Sequence, residues 1–153
     1  MTDDPQLHFE VKTTFTLPTS KQYHVKTKAV SVPSAPGKPP QRGLLAWNAQ
    51  GPKTFLHLFV YSNNTFTERL SFRNYLGAVV DAYVLPDNPI TIIVNTTAGK
   101  VYCIIYDQTK SHGLDSSQRI RVVQLNITGP SIRSSIAVVG TTLFVVSPLS
   151  RNA

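Results

Sequence analysis

The sequence predicts an all-β domain. The strand-forming types Val, Ile, Thr, Tyr and Phe are abundant, whereas Glu is scarce and Met and Trp occur once each. Apolar residues recur with a period of two rather than 3.6, and Gly, Pro, Asn and Asp interrupt the chain at short intervals. β-Branched and aromatic side chains suit a pleated, half-buried surface, and the residues that favour long amphipathic helices are thinly supplied. At 153 residues, with 41% apolar and 15% charged, the chain matches one ordinary folded domain.

Taken in order, residues 1–6 read as a flexible polar tail and residues 7–150 as a single all-β domain. LHFEVKTTFTL alternates Phe9, Val11, Phe15 and Leu17 with polar neighbours and is closed by Pro18. QYHVKTKAVSV follows, with Tyr23, Val25 and Thr27 on one face. Lys26 and Lys28 share the other, which is expected to be the solvent side. Residues 33–43, PSAPGKPPQRG, hold four prolines and two glycines. Proline removes ladder donors, so this segment reads as a plain surface loop rather than a polyproline recognition stretch.

Three short strands come next: GLLAWNAQ, KTFLHLFVYS after the turn signal QGP, and TFTERLSF after the turn signal SNN. In the second of these, Phe55, His57, Phe59 and Tyr61 share one face and Leu56, Leu58 and Val60 the other. Both faces are apolar, as in a strand at the centre of a sheet. His57 is expected to be a hydrogen-bonded histidine of the core or an edge, since His8, His24 and His112 lie too far away in sequence to form a ligand set. AVVDAYVL, ITIIVNT, VYCIIYD and RIRVVQLNI then form a second run of strands, and SIRSSIAVVG and TTLFVVSPL end the chain.

These segments repeat. HVKTKAVSV begins at His24, GAVVDAYVL at Gly77 and SIRSSIAVV at Ser131, spacings of 53 and 54 residues. The units therefore span about 24–76 and 77–130, with a partial unit at 131–150. Four antiparallel strands per unit is the pattern of a β-propeller blade. The run VNTTAGKVYCIIYD resembles the turn and third strand of a WD-repeat blade, with Gly99 in the turn and the Tyr106-Asp107 pair ending the strand, where the family has Trp-Asp. That resemblance implies a partial β-propeller-like binding platform. A closed propeller needs about four to eight blades, so two nearly complete units imply a piece of a larger ring or completion by a partner or second copy through open sheet edges. The alternative is a β-sandwich, which the same strand and turn spacing also fits.

The formal net charge is +7, and between Val11 and Thr67 there are seven basic residues and no acidic ones. Lys12, Lys21, Lys26, Lys28, Lys38, Arg42 and Lys53 are therefore the candidates for contacting an anionic partner such as RNA, or an acidic protein face. Tyr23 and Trp47 are interleaved with them, although Trp47 reads better as a core anchor.

No catalytic residue, metal site or cofactor is assigned. Glu68, Asp81, Asp87, Asp107 and Asp115 show no paired spacing, Asp107 and Asp115 around His112 read as turn formers, and no phosphate-loop, dinucleotide or nucleophile motif occurs. Cys103 stands alone and reads as a small buried apolar residue. Asn63, Asn95 and Asn126 begin N-glycosylation sequons. MTDDPQLHFE lacks the apolar core of a signal peptide, and no apolar run approaches the roughly 20 residues of a membrane span.

The expectation is a non-enzymatic binding or scaffold module in the cytoplasm or nucleus, with no membrane association. The alternative is a secreted or viral β-sandwich glycoprotein that binds glycans.

Overall fold

A computed structural model describes residues 24–107, 119–125, 135–139 and 142–146. The expected strand at 7–17, the tail at 1–6, Lys12, Lys21, Tyr23, His112, Asp115 and Asn126 lie outside these residues.

The protein is all-β, built from antiparallel strands. The first sheet contains β1 (Val25–Val32), β2 (Gln41–Asn48), β3 (Thr54–Ser62) and β4 (Thr65–Asn74). The second contains β5 (Val79–Val84), β6 (Ile90–Thr96), β7 (Val101–Tyr106) and β8 (Ile120–Leu125). Both are simple meanders in which spatial order follows chain order, and β9 (Ser135–Val139) and β10 (Thr142–Val146) form a two-stranded sheet.

Local chemistry explains the turns. Ser62 and Thr65 flank Asn63 and Asn64, whose φ values of 51° and 63° are those of the two-residue hairpin turn that matches strand twist. Between β6 and β7 the loop is four residues long, residues 97–100, with Thr96 N–H donating to Lys100 O and Gly99 at φ 75°.

The two larger sheets pack face to face. Leu45, Trp47, Leu56, Leu58, Leu70 and Phe72 of the first meet Val79, Ala82, Ile92, Val94, Tyr102 and Ile104 of the second in one buried cluster. Burying each large aliphatic side chain contributes about 1.5–3 kcal/mol, so this seam is the main source of cohesion. The far face of the second sheet is covered as well: Ile93 and Val101 are buried there, with Cys103, Leu125 and Leu143 of β10 packed on them. The layers thus run first sheet, second sheet, β9–β10. Between layers, β1 lies beside β5 and β5 beside β9, so equivalent first strands are neighbours.

β3 is buried from Thr54 to Val60 on both faces, as a central strand requires. Three expectations are corrected. The proline-rich loop ends at Pro40 rather than at residue 43: Gln41, Arg42 and Gly43 pair with Val32, Ser31 and Val30, because the last residue lacking an N–H is Pro40. Lys28 does not lie on a solvent-side face of β1, whereas Lys26 is exposed as expected. They share a face with Val30 and Val32, which pack into the seam, while Thr27, Ala29 and Ser31 are exposed. Val30 and Val32 decide which face turns inward, and the long lysine stems carry their charges out past the seam. Cys103 is partly rather than fully buried, and burial still pushes its thiol pKa up.

Candidate functional site

The basic residues divide by what they touch. Lys28 is committed within the molecule: its Nζ lies 3.0 Å from Asp81 Oδ1 and donates to Ala82 O at 3.1 Å, over the Tyr83 ring at 3.8 Å. The Ala82 N–H in turn donates to Asp81 Oδ1. Both backbone groups of Ala82 on the unpaired edge of β5 are therefore taken by side chains. A free strand edge is a template for pairing with another chain, and here a lysine and a carboxylate block it. Lys28, expected to contact an anionic partner, is thus engaged by Asp81 and Ala82 of the next sheet.

Lys53 lies 5.4 Å from the centroid of Tyr75, the most exposed large aromatic among the described residues. Lys26, Lys38 and Arg42 are exposed. Trp47 is 3% exposed, a core residue that cannot stack on a base.

Two β-bulges steer carboxylates. Leu58 pairs with Leu70 and Phe59 with Glu68, leaving Arg69 as the extra residue of β4. Val79 pairs with Thr96 and Asp81 with Asn95, leaving Val80 extra in β5. Strand side chains alternate, so without the bulges Glu68 would share the seam face with Leu70, and Asp81 with Val79. The inserted residues turn both carboxylates to the opposite faces.

The Glu68 bulge brings that carboxylate toward His57. His57 is 1% exposed and stacks on Phe59 at 6.2 Å, and its Nδ1 stands 3.6 Å from Glu68 Oε2, too far for a hydrogen bond. Among the described residues neither ring nitrogen has a hydrogen-bond partner, where a hydrogen-bonded histidine was expected. Burial pulls the imidazole pKa below its ordinary value, with Glu68 opposing and Arg73 assisting. At a folded-state pKa below the unfolded value of 6.5, the unfolded chain takes the proton first. Stability then falls as pH drops through about 6.5 and levels off once the folded-state value is passed. Urea midpoints at about pH 7.5 and 5.5 are expected to differ less in His57→Phe than in the unaltered protein; equal differences would exclude His57 as the group responsible.

A cleft of about 740 Å³ opens where the β1–β2 loop, residues 33–40, meets the β5–β6 loop, residues 85–89. Its walls include Pro33, Pro36 and Pro89, and Lys38, Arg69 and Asp107 bring charge to it. The first loop is shaped by a type II turn: Lys38 N–H donates to Ala35 O at 3.0 Å, with Pro36 and Gly37 between them. Proline presets φ at the second turn position and the third requires a positive φ, which Gly37 supplies at 82°. The two loops are tied together where the Asn88 side-chain amide donates to Ser34 O. Lys38 was legible as a basic residue in a loop; Arg69 and Asn88 were not, because only the bulge and the packing of the two sheets bring them there.

Among the described residues no group of three or more His, Cys, Asp or Glu side chains could hold a metal ion, and no helix is long and apolar enough to cross a membrane. Asn95 of β6 is fully buried, so in the folded protein its sequon is closed to a glycan, while Asn63 is exposed in its turn. Compared with protein-family models, curated proteins and solved structures, the chain matches none.

Proposed function

We propose that the chain is a non-enzymatic binding or scaffold module of β-propeller-like construction that contacts a protein partner, with its basic N-terminal half available to an anionic partner such as RNA. The observation that carries this reading is the stacking of successive meanders with their first strands adjacent, β1 beside β5 and β5 beside β9. A radial repeat brings equivalent strands together at its axis and buries both faces of every inner unit. A two-sheet sandwich would leave the far face of the second sheet to solvent, yet Ile93 and Val101 there are buried, with Leu143 packed on them. The WD-like resemblance of Gly99, in the β6–β7 turn, and Tyr106, at the end of β7, is compatible with this reading.

The described residues hold two four-stranded units and one two-stranded unit, fewer than the about four to eight units of a closed ring. On this reading the chain is a piece of a larger ring or completes itself by self-association or on a partner, and light scattering tests the self-association. A monomer that unfolds in one cooperative transition would overturn the open-propeller reading. RNA binding through phosphates is expected to weaken steeply as salt rises, by counterion release. A flat salt response of oligouridylate binding would remove RNA as the anionic partner.

A further inference from the structure

The cleft between the loops at 33–40 and 85–89 has the properties of a built recognition site, and its chemistry selects among ligands. Its volume of about 740 Å³ lies within the range of pockets that bury a compact ligand or a few residues of a peptide. The proline walls are apolar and conformationally restricted. The Ala35-to-Lys38 turn and the Asn88 to Ser34 hydrogen bond fix the two loops against each other. Little ordering is therefore left to be done on binding.

Charge and composition then narrow the occupant. Lys38 is exposed and its ammonium makes no ion pair among the described residues, and Arg69 and Asp107 are the other charged residues of the described lining. Among the described residues the lining contains no aromatic side chain, and recognition of single-stranded nucleic acid relies on base stacking against such side chains. An extended peptide asks for something different: apolar contact for its side chains and groups that can both donate to and accept from its backbone. Pro33, Pro36 and Pro89 supply the first, and the side-chain amides of Gln41 and Asn88 the second.

We propose that this cleft binds an extended segment of a partner protein that carries an acidic side chain, and that Lys38 recognises the carboxylate. The proposal rests on the reading of the chain as a protein-binding module and names the surface and the chemistry of the partner.

Short peptides displayed on phage and selected on the intact chain test it. Enrichment of Asp- and Glu-containing clones is expected, with synthetic versions weakened about tenfold or more by Lys38→Glu and retained by Lys38→Arg, the size expected for a charge-assisted hydrogen bond. Lys38 is exposed in a loop, so its replacement leaves the fold intact, and circular dichroism of the variant checks this. Clones without acidic residues, clones indifferent to Lys38→Glu, or no clones at all would each overturn the proposal. If oligouridylate instead binds in a Lys38-dependent way, the peptide proposal fails while the binding-module reading survives. If acidic clones are selected and the protein is a cooperative monomer, the cleft assignment stands and the propeller reading falls.

Discussion

Replacing Asn48 with alanine is expected to lower the free energy of unfolding by about 3–5 kcal/mol, the range reached when a buried hydrogen-bond network is broken. Asn48 is fully buried at the end of β2. Its Nδ2 donates to Gln50 O at 2.8 Å and Lys53 O at 2.6 Å, and its Oδ1 accepts from Phe55 N–H at 2.8 Å. One side chain thus closes the whole β2–β3 turn. Alanine would leave the buried Phe55 N–H and the part-buried carbonyls of Gln50 and Lys53 without this partner, and each group left unmet costs about 1–3 kcal/mol. Asn48→Asp keeps the acceptor for Phe55 but sets a carboxylate oxygen against the Gln50 and Lys53 carbonyl oxygens in a buried position, so a loss at least as large as that of Asn48→Ala is expected. Urea unfolding with an unchanged denaturant slope measures both. A loss below about 1 kcal/mol for Asn48→Ala would mean the turn is held by other contacts.

Gly43 carries the second large effect, through close approach. It lies in β2 opposite Val30 and Val60. A Cβ there would sit 2.6 Å from Phe59 O and 2.7 Å from Val32 Cγ2, one a backbone atom of the adjacent strand and the other a side chain of the seam. Neither distance is tolerable for carbon, so β2 would have to move away from β3 or the Val32 side chain out of its place. Gly43→Ala is expected to cost about 2–3 kcal/mol, as overpacking of a core does, and Gly43→Val more. Adding Val32→Ala relieves one of the two contacts. The double variant should therefore be destabilised by less than the sum of the single variants. Strict additivity in thermal unfolding would show that the contact with Phe59 O alone sets the cost.

The site was legible only in part. Lys38 could be read as a basic residue of a proline-rich surface loop, but the turn that carries it, with Gly37 at φ 82°, was not read from the sequence. The repeat spacing of 53 residues is the same separation that joins Lys28 to Asp81. That register placed Lys28 against the next unit, yet alternation alone made it look solvent-facing. Arg69 was hidden for a different reason: a bulge is one extra residue in one strand and leaves no mark on the hydrophobic pattern. His57 was correctly placed on a buried central strand, but whether its nitrogens would find partners depended on where Glu68 stopped, 3.6 Å away.

The all-β class, the antiparallel strand order, the main turn positions and the central place of β3 follow from the order of residues along the chain. All of these are local consequences of side-chain alternation and turn chemistry along the chain. Tertiary structure alone decided which face of each strand is inside, that the second sheet is covered on both sides, that the β5 edge is blocked by Lys28 and Asp81, and that a cleft forms between two loops. The physical reason is that alternation defines two faces without ranking them. The ranking comes from what packs opposite: Val30 and Val32 outweigh Lys26 and Lys28 only because a second apolar sheet is there to receive them, and bulges at Arg69 and Val80 then turn the two carboxylates away from the seam.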